Sequence, residues 1–224
     1  MKVLIHAYPE RMWYVEGFLV PELEAQGADS IEIWNDEKRK GNLKACMESF
    51  ASRTGSGKEG TWHIQDDVLL CRDFVKRCRE IDFGVVYGFC NELFLDDPDQ
   101  TGTVYAADAW HSFQCVRIPD EYARKCADWF FTDKWKDRPM TELPILYELN
   151  KGDDSFFREF LQMEHGRETV INCKPNLAEH VDWIVGGSVL HPYRGYIARA
   201  FYWDDESLVQ ELKEKVRGKV QYVS

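Results

Sequence analysis

Short apolar runs and amphipathic stretches alternate along the first ninety residues of the chain. The apolar runs have the length of buried strands, and the stretches between them repeat apolar residues three or four positions apart, as one face of a helix does. Gly27 follows the first of these stretches, where glycine commonly ends a helix. The pattern predicts strands at 3–7, 30–34, 61–64 and 82–87, separated by helices at 10–26, 42–52 and 71–80. This β-α-β order indicates a parallel, doubly wound sheet.

The second half of the chain has a less regular pattern. An acidic stretch is followed by an apolar run and then by Pro119, a residue favoured at the first position of a helix. The predicted elements are a loop at 91–103, a strand at 110–118, a helix from 119 to about 131, a helix after Ser155, a short strand at 170–171 and a polar amphipathic helix at 204–216. Because no repeat and no linker separates the two halves, we predict one domain.

Length, composition and charge narrow the class of protein. The 224 residues are 44% hydrophobic and 14% aromatic, which is typical of a globular chain with a substantial core. No apolar run reaches the roughly 18 residues of a membrane span, and the chain enters a strand directly, so we predict a cytoplasmic protein. A net charge of −11 disfavours nonspecific binding to nucleic acid or anionic lipid. Seven cysteines without a C-x-x-C motif predict reduced, mostly buried thiols and no thiolate zinc site.

Two adjacent acids, Asp66 and Asp67, end the third predicted strand, and apolar residues follow them at once. Open α/β sheets bind ligands beyond the carboxyl ends of their strands. Strand alternation turns residues 65 and 67 the same way, so Asp67 and Gln65 are expected to line the crevice, with Asp66 turned toward a ribose or a helix cap. Burying two carboxylates requires compensation, and a divalent cation that bridges carboxylates to substrate phosphates is the usual one. The sequence therefore predicts a site for a metal and a diphosphate.

A second acidic pair, Asp153 and Asp154, stands at a predicted helix start. Capping and the helix dipole favour one acid there. An acid in this position is more often a cap than a base, but two acids are more than capping requires, and a general base here would have a pKa that the dipole depresses. His180 follows a loop-like segment and, together with the acidic strand end, is a candidate metal ligand, since imidazole and carboxylate suit Mn²⁺. His6 and His63 lie in apolar strands and are assigned to packing.

Two common phosphate-binding templates do not fit the chain. The loop at 54–59 fails the P-loop template because Ser52 stands in place of the first glycine and Glu59 in place of the hydroxyl residue. This loop also precedes a strand, whereas a P-loop follows one. No G-x-G-x-x-G motif follows the first strand, so a dinucleotide-dependent oxidoreductase lacks its fingerprint.

The order of elements, together with Gln65-Asp66-Asp67, resembles the nucleotide-sugar glycosyltransferases of the GT-A fold over roughly the whole chain. Those enzymes have a Rossmann-like N-terminal half, an acidic D-x-D motif that ends a strand, and an acceptor-binding C-terminal half. Gln65 stands where the family usually has an acid. The resemblance implies an α/β, Rossmann-like GT-A fold whose central, mostly parallel sheet is flanked by helices. One domain would span 1–224, with a nucleotide-sugar-binding half at 1–90 and an acceptor-binding half at 91–224.

The same resemblance implies roles for individual residues. Asp67 and His180 would ligate Mn²⁺ or Mg²⁺, and Asp154, with Asp153 beside it, would be the catalytic base. The nucleotide-diphosphate sugar would contact the ends of the first three strands at Ala7, Tyr8, Pro9, Arg11, Asp36, Gln65 and Asp66. The acceptor would be a hydroxyl of a glycan or, alternatively, of a hydroxylated nucleic-acid base.

Two other classes of protein stay open at this stage. A nucleotidyltransferase would use metal-bound carboxylates on a similar sheet and would release pyrophosphate. It normally has a glycine- and basic-rich loop after the first strand, and Tyr8-Pro9-Glu10-Arg11 disfavours it. A non-catalytic nucleotide-sugar-binding module is the second alternative, and it would bind the donor without transfer or hydrolysis.

Overall fold

A computed structural model of the protein describes residues 1–56, 59–81, 84–89, 102–105, 113–137, 147–148, 152–173, 176–182, 184–185 and 206–217. This part of the chain contains nine strands and seven α-helices. The strands are β1 (Lys2–Ala7), β2 (Ser30–Asn35), β3 (Gly60–Gln65), β4 (Val68–Leu70), β5 (Val86–Tyr87), β6 (Gly102–Tyr105), β7 (Cys115–Pro119), β8 (Thr169–Asn172) and β9 (Ala178–His180).

The helices are α1 (Met12–Tyr14), α2 (Val20–Ala25), α3 (Asn42–Ala51), α4 (Phe74–Glu80), α5 (Asp120–Phe131), α6 (Asp153–His165) and α7 (Glu206–Val216). A 3₁₀ turn at Pro9–Arg11 and a π-helical segment at Val15–Leu19 join α1 and α2 into one helical stretch from residue 9 to 25. This stretch corresponds to the helix predicted at 10–26.

Seven strands form one mixed sheet in the order β2-β1-β3-β7-β5-β8-β6. The pairs β1–β2, β1–β3 and β5–β8 are parallel, and the pairs involving β7 and β6 are antiparallel. Five of the strands therefore point the same way, which confirms the predicted mostly parallel sheet flanked by helices. Because β7 inserts between β3 and β5, the fourth predicted strand is not adjacent to the third.

The remaining two strands, β4 and β9, form a separate antiparallel ribbon that the sequence pattern did not predict. This ribbon explains why the helix predicted from Cys71 begins only at Phe74. The amide of Cys71 donates to the carbonyl of Leu177, so residue 71 continues the ribbon instead of starting a helix.

Three other elements were predicted to be longer than they are in the structure. The strand predicted at 82–87 is limited to Val86–Tyr87, and the strand predicted from 110 begins at Cys115. The loop predicted at 91–103 gives way to β6 at Gly102. Residues 57–58, 82–83, 91–101, 110–112 and 204–205 of the predicted elements lie outside the described residues, as do His111 and Cys90.

Two apolar cores, one on each face of the sheet, hold the helices in place. Alternation along β1 and β3 directs Val3, Ile5 and Ile64 into the core that includes Leu19, Phe74 and Leu212 of the helical layer on that side. The opposite core contains Phe50 of α3, Trp129 of α5 and Phe156 of α6, together with Val116 and Ile118 of β7. Burying such aliphatic and aromatic side chains contributes roughly 1.5–3 kcal/mol each, so both layers of helices are held against the sheet.

All six described cysteines are free and buried, which matches the predicted state of these thiols. Burial raises the pKa of Cys46, Cys78 and Cys126 well above the ordinary value, so these thiols are held in the neutral form. None of the helices in the described part of the chain is both long and apolar enough to cross a membrane.

Two histidines, the buried His63 and the half-buried His6, lie between β1, β3 and α3. The His6 Nε2 and His63 Nδ1 atoms are 3.0 Å apart, and Phe50 packs edge-on against the His63 ring. Burial lowers the pKa of His6 to about 3, with Arg53 as a second cause, and burial and the His6 charge lower the pKa of His63. The predicted packing role of both residues fits this arrangement.

This pair should make the protein acid-sensitive. Because the folded-state pKa values are depressed, the unfolded chain binds more protons below the ordinary histidine pKa of about 6.5, and stability is lost as pH falls from there toward about 3. Within that window we expect the free energy of unfolding to fall by about 1.4 kcal/mol per pH unit for each histidine, measured by urea denaturation.

The double variant His6→Gln/His63→Asn places amide groups where the bonded ring nitrogens lie and cannot titrate, so its pH slope should be shallower. His165→Gln is the control, since the His165 ring bonds Glu168 and stacks on Tyr122 at the end of α6. Equal slopes for the wild type and the double variant would rule out this role of the pair.

Candidate active site

The carboxyl ends of β2, β1 and β3 lie side by side at one edge of the sheet. Register pairs Ala7 with Asn35 and His6 with Gln65, so Tyr8, Asp36 and Asp66 each follow a strand at the same edge. This is the crevice in which open α/β sheets bind ligands. The structure therefore brings together the three strand ends that the sequence assigned to the nucleotide sugar.

Asp66 and Asp67 share one guanidinium. Nη1 of Arg11 lies 2.6 Å from Oδ1 of Asp66 and 2.7 Å from Oδ2 of Asp67, and the backbone amide of Tyr8 donates to Oδ2 of Asp66 at 2.7 Å. Arg11, Asp66 and Asp67 are 5%, 2% and 6% exposed, so water does not screen these charges. Arg11 was assigned to the nucleotide from the sequence, and in the structure it is the counterion of the acidic pair.

Asp67 does not point away from Asp66, as strand alternation predicted, because both carboxylates contact Arg11. Residues 66 and 67 form a turn between β3 and β4, so the alternation of an extended strand ends at Gln65. Both carboxylates reach Arg11, and Asp66 joins the end of β3 to the start of the helical stretch that begins at Pro9. Asp66 therefore takes the position near a helix start that was one of its two predicted orientations.

His180 is brought to Asp67 by the ribbon of β4 and β9. Register pairs Val68 with His180, and the amide of Val181 donates to the carbonyl of Asp67 at 2.7 Å. The Nε2 atom of His180 lies 3.3 Å from Oδ2 of Asp67, and both side chains are buried. The structure thus unites the two residues that were predicted to be metal ligands, although they are far apart in the chain.

Burial and ion pairing set the protonation of this cluster. Burial opposes ionisation of Asp67, but the Arg11 and His180 charges outweigh it and hold the pKa of Asp67 below its ordinary value. Burial raises the pKa of Asp66, and the neighbouring Asp67 charge adds to that rise. Burial also disfavours the charge on Arg11, yet Asp67, Asp66 and Asp182 together raise its pKa. The cluster is accordingly anionic at Asp67 and cationic at Arg11.

The second acidic pair begins helix α6. Gly152 has a φ of 74° and stands at the N-cap, where it has no side chain that could cap the helix. The Nδ2 atom of Asn42 donates to Oδ1 of Asp153 at 2.7 Å, and the amide of Ser155 donates to Oδ1 of Asp154 at 2.7 Å. Asp154 thus bonds an amide of the first helical turn, as a capping acid does, while Asp153 bonds the side chain of Asn42.

The depressed pKa expected for these acids is wrong. Burial and the adjacent Asp154 charge raise the pKa of Asp153 to about 7, and burial raises that of Asp154. The helix dipole favours a carboxylate at this position by only about 1 kcal/mol, whereas removing one from water costs several kcal/mol, so burial prevails. Asp153 is therefore poised to exchange a proton near neutral pH.

Tyr8 connects the two acidic pairs. Burial raises the pKa of its phenol, and the charges of Asp153, Asp36 and Asp66 raise it further. The bond from Asn42 places Asp153 of α6 beside the start of α3, the helix that follows β2. Asp36 accepts hydrogen bonds from the amides of Lys40 and Gly41, so its carboxylate shapes the loop between β2 and α3.

The remaining residues predicted to contact the nucleotide sugar, Ala7, Pro9 and Gln65, lie at the same edge of the sheet. Ala7 is buried, and its carbonyl accepts from the amide of Asp36. Pro9 starts the 3₁₀ turn that carries Arg11 toward the acids. Gln65 is half-buried, and its amide donates to the carbonyl of Gln114.

Two residues at this site were missed in the sequence. Asn42 follows a glycine at the start of α3 and holds Asp153, and Asp182 is fully buried beyond β9 near Arg11. A polar residue at a helix start and an acid two positions after His180 are weak signals in a single sequence. Only the packing of α3 against α6, and of the ribbon against the strand ends, gives them a place in the site.

The chemistry of Asp67 and His180 fits a divalent cation. Oδ1 of Asp67 is buried and has no hydrogen-bond partner among the described residues, an arrangement that is costly unless a cation or donor satisfies it. Carboxylate oxygen and imidazole nitrogen are ligands that suit Mn²⁺. The described residues contain no group of three or more His, Cys, Asp or Glu that could hold an ion alone. Two protein ligands match a site that substrate phosphates and water complete.

Comparison with known proteins identifies the fold. No family model and no curated protein matches the sequence. Among solved structures, the galactosyltransferase LgtC in complex with donor and acceptor sugar analogs is 11% identical, with a TM-score of 0.52 over 98% of this chain and 100% of that one. A structure of an LgtC active-site mutant is 16% identical with a TM-score of 0.39, covering 98% and 100%. A putative glucose-1-phosphate thymidylyltransferase from Bacillus anthracis is 10% identical with a TM-score of 0.41, covering 97% and 96%. The first match shows that the chain has the GT-A fold.

Proposed function

We propose that this protein is a metal-assisted glycosyltransferase that moves a sugar from a nucleotide-diphosphate sugar to an acceptor hydroxyl. The observation that carries the proposal is the position of Asp67. Its buried Oδ1 has no hydrogen-bond donor among the described residues, and its Oδ2 lies 3.3 Å from Nε2 of His180, just beyond the carboxyl end of β3. A net charge of −11 favours a glycan over a nucleic-acid base as the acceptor.

The charge of the crevice supports a role for a cation. Asp36, Asp66 and Asp67 follow the strands at this edge, and Arg11 is the basic residue that bonds Asp66 and Asp67. Two like unit charges 4 Å apart repel by roughly 4 kcal/mol near a protein surface. A nucleotide diphosphate therefore needs an accompanying cation to enter this edge of the sheet.

Asp67 and His180 would hold the divalent ion, Mn²⁺ or Mg²⁺. When bound, such an ion supplies positive charge that stabilises the departing nucleoside diphosphate. Tyr8 and the loop that Asp36 shapes would contact the nucleotide, while the buried backbone at Ala7 fixes the strand end against which it lies. Pro9 and Gln65 complete the proposed donor edge.

Asp153 is the proposed general base of a reaction that inverts configuration, in place of the Asp154 that the resemblance implied, because Asp153 is the more buried of the two and is bonded by Asn42. As the acceptor oxygen bonds to the anomeric carbon, its proton passes to Asp153, and the bond from that carbon to the diphosphate oxygen breaks with its electron pair leaving on the diphosphate. The pKa of about 7 suits this transfer, and the bond from Asn42 fixes the carboxylate. If configuration is retained, the leaving phosphate takes the proton and the acid binds the acceptor.

Residues 1–90 would bind the nucleotide sugar and residues 91–224 the acceptor, within one domain. The N-terminal half contributes Tyr8, Arg11 and Asp67, and the C-terminal half contributes Asp153 and His180. Because both halves supply side chains to one crevice, donor and acceptor would meet at their junction.

A binding screen tests the proposal. The melting temperature is measured with uridine, guanosine, cytidine and thymidine diphosphates, with and without Mn²⁺, followed by product analysis with the matching nucleotide sugar. Ligand at 100 times its dissociation constant adds about 2.7 kcal/mol, so we expect a rise of about 5–10 °C for the correct base with Mn²⁺. No stabilisation by any diphosphate would contradict donor binding. Pyrophosphate release from a nucleoside triphosphate would identify a nucleotidyltransferase, and binding without transfer or hydrolysis would identify a binding module.

Replacing His180 should weaken the metal site selectively. In His180→Ala, we expect the affinity for Mn²⁺, titrated in the presence of the selected diphosphate, to fall at least about tenfold because an imidazole ligand is lost. The matched control is His165→Ala, whose imidazole bonds Glu168 away from the strand ends. An unchanged Mn²⁺ titration in the first variant would assign His180 to structure alone.

A further inference from the structure

Arg11, Asp66, Asp67 and His180 form a cluster at the strand ends, and Arg11 is a cation within it. Nη1 of Arg11 lies within 2.7 Å of an oxygen of each acid, and the Oδ2 atom of Asp67 that it contacts is also 3.3 Å from Nε2 of His180. One oxygen of Asp67 thus has two nitrogen neighbours, while the other, Oδ1, has no hydrogen-bond partner among the described residues. The free oxygen is directed to a place that the guanidinium does not fill.

A divalent ion on Oδ1 would share the Asp67 carboxylate with Arg11. The ion and the guanidinium would then both contact one carboxylate, in a cluster that is at least nine-tenths buried. Low solvent exposure strengthens their repulsion, because little water is available to screen it. The acids attract the ion, and the guanidinium opposes it.

We infer that Arg11 is an internal competitor of the metal, which makes tight binding of a divalent cation conditional on the diphosphate of the donor. This inference rests on the proposed function, since it concerns the same site. Arg11 pairs with both Asp66 and Asp67 in the free protein and offsets one of their two charges, and its own charge repels a second cation, so the ion gains too little attraction to stay. A diphosphate brings the negative charge that offsets the repulsion between ion and guanidinium. Metal and donor would therefore bind together.

Removal of the guanidinium charge should create a cation site that works without any donor. In Arg11→Gln, the affinity for Mn²⁺ alone should rise about 10- to 100-fold over the wild type, read from the signal of free Mn²⁺ by electron paramagnetic resonance. Arg11→Lys, which keeps the charge, should bind Mn²⁺ as weakly as the wild type. Adding Asp67→Asn to Arg11→Gln should abolish the gain.

Arg11→Gln leaves two buried acids without their counterion, which threatens the fold. The double variant Arg11→Gln/Asp66→Asn removes one charge of each sign and keeps the net charge of the cluster. It should also bind Mn²⁺ at least about tenfold more tightly than the wild type, because the local repulsion is gone. Arg79→Gln, at an exposed ion pair with Asp29, is the control and should change nothing.

The inference fails if the charge-matched variant binds Mn²⁺ no more tightly than the wild type. It also fails if the wild type binds Mn²⁺ alone as tightly as these variants do. These outcomes are separate from the proposed function. A tighter Mn²⁺ site in both variants, with no binding of any nucleoside diphosphate to the wild type, would retain the competition by Arg11 and overturn donor binding.

Discussion

Asp67→Asn is expected to lower the rate of sugar transfer about a hundred- to a thousandfold while the protein still folds. The change removes the negative charge but keeps the shape of the buried side chain beside Arg11 and His180. Loss of one preorganised electrostatic contact to a developing charge typically costs two to three orders of magnitude in rate. Stabilisation by a nucleoside diphosphate with Mn²⁺ should disappear as well. The measurements are steady-state transfer kinetics and melting temperatures with each ligand.

Asp120→Asn is the matched control for this experiment. Asp120 is equally buried, but it begins α5 and accepts bonds from the amide of Gly55 and the hydroxyl of Thr61 at the amino end of β3. Its replacement should lower the melting temperature and leave the rate per folded molecule intact. Turnover like that of the wild type in Asp67→Asn would remove the metal from the mechanism.

Asp153→Asn should reduce the turnover number by about a hundred- to ten-thousandfold with little change in donor affinity. General acid–base groups contribute rate factors of this size. Because the wild-type base loses its proton only above a pKa of about 7, kcat/KM of the wild type should rise with pH through neutrality, and this limb should vanish in the variant. Rates from pH 5 to 9 and isothermal titration of the donor check both statements.

Stability separates this loss of activity from unfolding. A folded-state pKa raised by burial means that Asp153 favours the folded protein at low pH and that this contribution is lost as pH rises toward 7. The neutral amide avoids that cost and can still accept the bond from Asn42, so Asp153→Asn should melt no lower than the wild type at pH 8. Asp154→Asn is the comparison, and if it lowers the rate more than Asp153→Asn does, Asp154 is the base.

In both predictions the balance between burial and neighbouring charges decides whether the acid is ionised. At the strand ends, the charges of Arg11 and His180 outweigh the cost of burying Asp67 and keep it ionised. No described cation bonds Asp153, and burial raises its pKa to about 7. Two pairs of acids with opposite environments can divide the tasks of binding charge and moving a proton. Metal dependence, the identity of the base and a cytoplasmic location stay predictions.

Local pattern alone predicted much of the framework. Hydrophobic periodicity located β1, β2, β3 and the helices α3 and α5 to within one or two residues, since each depends on the spacing of neighbouring side chains. It also placed Asp66 and Asp67 at the end of a strand and Asp153 at the start of a helix. Proline and glycine marked several boundaries, because their backbone preferences are intrinsic to the residue.

Tertiary structure decided the parts of the site that act together. The ribbon of β4 and β9 brings His180 to Asp67, and the turn after β3 lets both acids reach Arg11. Pairing between distant segments depends on which backbones meet, and this leaves no period in the sequence. The raised pKa of Asp153 has the same origin, since burial by α3 and the rest of the fold outweighs the local helix dipole. The chain's own pattern therefore determined where charged residues stand, and the assembled fold determined what neutralises them.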